Sequence, residues 1–188
     1  MRIIAGNLKG KKILEPADLN TRPLKDLTKE SIFNILHHTN KFKTKLQNSN
    51  VLDLFSGVGS FGLECFSRGA MTVTFVENYN NVLSILKKNI SNLGCQKNSV
   101  IIESDINNNL NFDAFEKKFD IIFMDPPYKD NNLHSILSNI IKFKILNNDG
   151  IIVIHRHKKQ EDKFPSDFSI IEEKIYGISK VIFGRYFK

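Results

Sequence analysis

The chain has 188 residues, of which 41% are hydrophobic and 25% charged, the make-up of one ordinary globular domain with room for a full core. No apolar run approaches the roughly 20 residues a membrane span requires, and Met1-Arg2-Ile3-Ile4-Ala5-Gly6 reads as a strand rather than a signal peptide, so a cytoplasmic protein is expected. The formal charge of +7 favours a polyanionic partner. Cys65 and Cys95 fall in helix-like segments and make neither a disulfide framework nor a metal cluster.

Residues 1–46 read as a basic extension that packs on the core. Arg2, Lys9, Lys11, Lys12, Arg22, Lys25 and Lys29 crowd its first part, and Lys41, Lys43 and Lys45 its end. Ile3-Ile4 and Lys12-Ile13-Leu14 flank Gly6-Asn7 and Gly10, which predicts a small hairpin. Thr21-Arg22-Pro23 marks a turn. A helix then runs from about Leu27 to His37, with Asp26 as N-cap and Ile32, Ile35 and Leu36, joined by Leu27 or Thr28, as its apolar stripe.

Residues 47–188 alternate strands and helices. Val51–Phe55 is a strand ending at a glycine-rich turn, followed by a helix from Ser60 to about Ser67. Thr72–Val76 is a second strand ending at Glu77. Val82, Leu83, Leu86, Ile90 and Leu93 have helical spacing, with Gly94 as the stop. Val100–Ile102 is a third strand, leading to Asp105, and Asp120–Met124 a fourth, running directly into Asp125. A helix from about Leu133 to Phe143 connects through Asn147-Asn148-Asp149-Gly150 to the strand Ile151–Ile154. Phe168–Ile175 and Lys180–Phe187 are strand-like and close enough to pair as a hairpin around Tyr176-Gly177. Apolar strands alternating with helices predict a mostly parallel sheet covered on both faces, with an antiparallel C-terminal edge.

Gly57-Val58-Gly59-Ser60-Phe61-Gly62 places the spacing G-x-G-x-x-G between a strand and a helix, and Glu77 ends the next strand. Glycines serve where backbone must turn tightly and approach a ligand, and the acid can accept from ribose hydroxyls. This pattern suits a dinucleotide and S-adenosylmethionine alike. Asp53, within Asp-Leu-Phe-Ser-Gly, favours the latter, because its carboxylate would repel a pyrophosphate and attract a cationic methionine end. Asp105, just past the third strand, is placed to accept from an adenine amino group. Phe55 completes the candidate cofactor set.

Asp125-Pro126-Pro127-Tyr128 begins where the fourth strand stops. Two prolines stiffen the backbone and remove amide donors. The Asp125 carboxylate and the Pro126 carbonyl can hold both hydrogens of a base amino group and aim its lone pair, while Tyr128 can stack on an extruded base. Methyl transfer then depends chiefly on positioning. His37, His38, His155 and His157 match no standard metal spacing and read as solvated or core-edge residues; no metal is expected.

Met1-Arg2-Ile3-Ile4-Ala5-Gly6, Lys9-Gly10-Lys11-Lys12-Ile13, Thr21-Arg22-Pro23 and Lys29-Glu30-Ser31-Ile32-Phe33-Asn34-Ile35-Leu36 resemble the RsmD family, and the likeness continues through Asp53–Gly62, Glu64, Glu77, Asp125–Tyr128 and Tyr176-Gly177. The resemblance implies a Rossmann-like class I methyltransferase with a seven-stranded sheet. It also implies transfer from S-adenosylmethionine to a guanine N2 amino group of 16S rRNA, free or in the assembling 30S subunit. Members often carry arginine where Leu27 stands and threonine or serine at Lys25, and a polar residue at Ile178. On this reading the extension faces RNA through Arg2, Lys9, Lys11, Arg22 and Lys29. A monomer is expected. The rival readings are a DNA adenine-N6 methyltransferase, for which the chain lacks a target-recognition domain, a protein glutamine methyltransferase, which would more typically carry Asn in place of Asp125, and a non-catalytic RNA-binding assembly factor.

Overall fold

The apolar runs become the strands of a single twisted sheet. The computed structural model describes residues 1–16 and 24–187. In chain order its elements are α1 (Asp26–His38), β1 (Asn50–Leu54), α2 (Ser60–Ser67), β2 (Thr72–Glu77), α3 (Asn80–Asn92), β3 (Ser99–Glu103), β4 (Phe119–Met124), α4 (Leu133–Lys142), β5 (Leu146–His157), β6 (Phe168–Tyr176) and β7 (Ser179–Tyr186). The seven strands lie in the order β3-β2-β1-β4-β5-β7-β6. The first five pair in parallel, and β7 inserts antiparallel between β5 and β6. This is the expected mostly parallel sheet with an antiparallel C-terminal edge.

Alternate residues of each strand serve opposite faces. Val51, Val73, Phe75, Phe123 and Val153 pack with α1, α2 and α3, whereas Leu52, Leu54, Ile122, Met124 and Ile152 pack with α4. Central strands are buried on both sides, which is why they read as unbroken apolar runs. On the first face Phe33 of α1 stacks on Phe61 of α2 at 5.1 Å, and Phe61 on Phe123 of β4 at 3.9 Å.

The expected N-terminal hairpin is reduced to one antiparallel bridge, Arg2↔Lys12. Hydrogen bonds from Ile3 N to Lys11 O and from Ile13 N to Met1 O flank it. Ile3 and Ile13 are buried in the same core cluster as α1, α2 and the sheet, so the extension shares the core of the domain it was expected to pack upon. Glu64 of α2, fully buried, accepts from the amides of Ile4 at 2.8 Å and Ala5 at 3.0 Å. Asn89 of α3 accepts from Leu14 N and donates to Leu14 O and Val58 O.

Three local expectations change. Lys25, not Asp26, occupies the N-cap of α1, and no side chain caps it; Asp26 lies in the first turn, where a carboxylate suits the helix dipole. Leu27 is 71% exposed, and the buried stripe is Thr28, Lys29, Ile32, Phe33 and Leu36. Asn147–Gly150, read as a connection, lies within β5, but Phe119 pairs with Leu146 and Ile121 already with Ile151, so these residues bulge out of the ladder. Thr21-Arg22-Pro23, read as a turn, lies outside the described residues.

Candidate functional site

The site is built at the carboxyl ends of β1, β2, β4 and β5. Between β1 and α2 the chain turns through three left-handed residues, Phe55 at φ 59°, Gly57 at 53° and Gly59 at 84°. Phe55 holds this conformation at a cost glycine avoids, and such backbone strain collects at ligand sites. A side chain at Gly59 would strike Leu86 at 2.6 Å, and one at Gly62 would strike Phe75 at 2.4 Å, so both glycines allow close packing. Gly57 differs, because a Cβ there would enter open space, the cradle a ligand could fill. Glu77 closes this loop from the end of β2. One of its oxygens accepts from Gly57 N at 2.8 Å and the other from Asn78 N and Tyr79 N at 2.9 Å.

Asp53 lies beneath the loop, 1% exposed. Its Oδ2 accepts from Gly62 N at 3.0 Å, and its Oδ1 has no partner. Burial, reinforced by the negative charges of Asp125 and Glu77, pushes its pKa up to about 8.

Parallel register brings the second half of the site alongside. Leu54 pairs with Met124, and Met124 with Ile154, so Asp125 and His155 leave adjacent strands at the same level. His155 Nδ1 lies 2.8 Å from Asp125 Oδ1. The Tyr128 ring meets His157 edge-on at 5.2 Å and His155 at 6.4 Å. Between the two histidines, Arg156 is fully buried and donates to both oxygens of Asp162 at 2.8–3.1 Å. It also donates to Asp130 O at 2.7 Å and Pro127 O at 3.3 Å. The backbone after Asp125 is thereby tied to β5.

Sequence reasoning treated His155 and His157 as incidental and passed over Arg156 and Asp162. A usable signal existed, since His155 follows the apolar run Ile151–Ile154 as Asp125 follows Ile121–Met124. Polar residues at that end of parallel strands face ligands.

Among the described residues, three buried side-chain polar atoms have no partner: Asp53 Oδ1, Ser56 Oγ and His155 Nε2. All belong to the carboxyl ends of β1 and β5. Native interiors pair nearly all such groups, so orphans gathered at one end of the sheet point to a ligand site.

The other expected residues are placed as follows. Asp105 builds a turn, accepting from Asn107 N at 2.9 Å and Asn108 Nδ2 at 2.8 Å, bonds that hold its carboxyl below the ordinary range. Asn107 in turn donates through its Nδ2 to the Asp130 carboxylate at 2.7 Å, linking this turn to the segment after Tyr128. Arg2, Lys9 and Lys11 are exposed on the extension. Lys29 is not, and its expected RNA contact is corrected here. Fully buried, its Nζ donates to Arg2 O and Ser60 Oγ, each at 3.2 Å, and lies 3.9 Å from Glu64. Burial pushes its ammonium pKa down, against the opposing pull of Glu64 and Asp26. Arg22 lies outside the described residues. Among the described residues no group of His, Cys, Asp and Glu is arranged to hold a metal ion, and no helix is long and apolar enough to cross a membrane.

The family model described as "Conserved hypothetical protein 95" matches residues 1–185. YlbH of Bacillus subtilis (strain 168) is 32% identical over 183 residues, spanning 96% of this chain and 96% of its own. Ribosomal RNA small subunit methyltransferase D of Haemophilus influenzae is 31% identical over 183 residues, 95% of this chain and 90% of its own. The solved structure of yhhF from Escherichia coli superposes with a TM-score of 0.81 at 26% identity, covering 99% of this chain and 97% of that one.

Proposed function

Because the chain belongs to the RsmD family, described as conserved hypothetical protein 95, we propose that it methylates the exocyclic N2 amino group of a guanine in small-subunit 16S ribosomal RNA, using S-adenosylmethionine. The observation that carries this reading is the placement of Asp125-Pro126-Pro127-Tyr128 at the end of β4, beside Asp53 and the glycine loop.

The residues present fit the cofactor. The unpartnered Oδ1 of Asp53 offers a buried acceptor for a cationic methionine end, and the open space at Gly57 admits a ligand against bare backbone. Phe55, Gly59 and Gly62 shape the loop, Glu77 Oε2 keeps one lone pair for a ribose hydroxyl, and Asp105 lines the adenine end. When bound, S-adenosylmethionine supplies a methyl group on a positively charged sulfur.

The chain's own residues do the rest. An amino group conjugated to a base is a weak nucleophile, since its lone pair is shared with the ring. Asp125 and the Pro126 carbonyl accept its two hydrogens, which favours pyramidal nitrogen, withdraws the lone pair from conjugation with the ring and aims it. Tyr128, lodged against His157, offers a flat face to a base swung out of its helix. Positioning of this kind supplies most of the acceleration. Arg2, Lys9 and Lys11 supply positive charge to the RNA backbone.

Incubation with labelled S-adenosylmethionine and 30S subunits, or naked 16S rRNA, tests the reading once the label is mapped. Label on a guanine N2 of 16S rRNA is expected. Asp125→Ala should abolish it while cofactor affinity stays nearly unchanged. Label on DNA instead, or on no RNA, would overturn the assignment.

A further inference from the structure

Asp125 can use both its oxygens only if its carboxyl plane is held still. A lone aspartate at a strand end rotates about two side-chain bonds, and Asp125 is 20% exposed at its side chain. Its neighbour supplies the restraint. His155 is 6% exposed, its backbone is paired in the sheet opposite Val181, and its ring lies edge-on to Tyr128.

The hydrogen-bonding inventory sets the tautomer. A carboxylate accepts and does not donate, so the 2.8 Å contact requires the hydrogen on His155 Nδ1. The other nitrogen, Nε2, is buried without a partner. A bare lone pair there is tolerated more readily than an orphan N–H, which favours the same tautomer. The imidazole therefore faces Asp125 with a fixed donor.

We propose that His155 is a positioning residue, whose Nδ1–H holds Asp125 Oδ1 and so presents Oδ2 to the target amino group. The inference rests on the function proposed above, and it adds a residue to that reaction. His155 also backs Tyr128, so one ring supports both the acceptor and the stacking platform.

Two variants separate positioning from packing. His155→Phe keeps the ring and loses the donor; His155→Asn places an amide N–H close to the position of Nδ1. His155→Phe should lower kcat by about 10- to 100-fold with KM for cofactor and RNA within about twofold. His155→Asn should recover most of that loss. A His155→Phe enzyme with full kcat, one that loses as much in KM as in kcat, or a folded His155→Asn enzyme as slow as His155→Phe would each overturn the inference. Nitrogen-15 NMR of the histidine rings gives a readout independent of RNA. The wild type should show His155 protonated at Nδ1, and Asp125→Ala should lose that signature. Protonation at Nε2 alone would overturn the inference whatever the enzyme methylates. The Nδ1–H form in a protein that labels no RNA would overturn the functional reading and leave the Asp125–His155 pair standing.

Discussion

The Asp53 carboxyl places one oxygen on the Gly62 amide and leaves the other unpartnered, with its pKa raised from 3.8 to about 8. Between those two values the folded protein holds a proton that the unfolded chain has released. Stability therefore falls as pH rises through this window and levels off above it. A cation bound at Oδ1 favours the ionised form, so cofactor binding below pH 8 must expel the proton. We expect close to one proton released per cofactor at pH 7, with affinity rising with pH until about 8. Calorimetry in two buffers of different ionisation enthalpy reads this directly, and zero net release would show that Asp53 does not meet a cation. Glu77 and Asp125 were legible in the sequence because each ends an apolar run, and Asp53 because it interrupts one just before the glycine-rich turn; the fold places these positions together. Lys29 was not, and for His155 the position at the end of an apolar run was legible but the role was not. The role of a histidine depends on which strand lies beside it, and a lysine in a helix looks identical whether water or Glu64 faces it.

Among the elements, β5 carries most of the support for the site. Its residues alternate between His155 and His157, which flank Tyr128, and Arg156, which holds the backbone of Pro127 and Asp130. The Arg156–Asp162 pair is buried, with side-chain exposures of 0% and 3%. Arg156→Met leaves the Asp162 charge uncompensated and should cost about 3–5 kcal/mol, a melting temperature lower by about 10 °C or more. Adding Asp162→Leu should restore much of that stability. It should not restore kcat, because Pro127 and Asp130 still lack their donor. Thermal melts set beside single-turnover rates check both halves; full kcat in the double variant would mean the clamp is dispensable. The elements themselves were legible nearly to the residue wherever periodicity was strong, as for α2 and β2. Asn147–Gly150 defeated that reading because turn-forming residues can bulge within a ladder as well as leave it, and only the partner strand decides.

For the whole molecule, the extension joins the core while keeping a charged outer surface. Glu64, Ser67 and Asn89 bind its backbone from beneath, Lys29 of its own helix joins them at Arg2 O, and Arg2, Lys9 and Lys11 remain exposed above. Replacing those three exposed residues with alanine should weaken RNA binding and reduce the slope of log affinity against log salt by about 2 to 3. Lys29→Met should leave that slope unchanged, since its ammonium never meets solvent. Anisotropy titrations across a salt series distinguish the two, and an equal change of slope in both would return Lys29 to the RNA surface. The basic charge of residues 1–46 was legible; its division into buried and exposed members depends on contacts with α2 that no local pattern records.

The insertion of β7 between β5 and β6 bears on how the enzyme is made. His155, Arg156 and His157 pair with Val181, Lys180 and Ser179, residues that a ribosome adds only after β6. Until β7 has emerged, β5 has an open edge at His155, beside Asp125. A nascent chain thus carries Asp125 before the strand that pairs with His155, Arg156 and His157 is in place. On the function proposed above, Asp125 gains its partner on β5 only once β7 has joined the sheet.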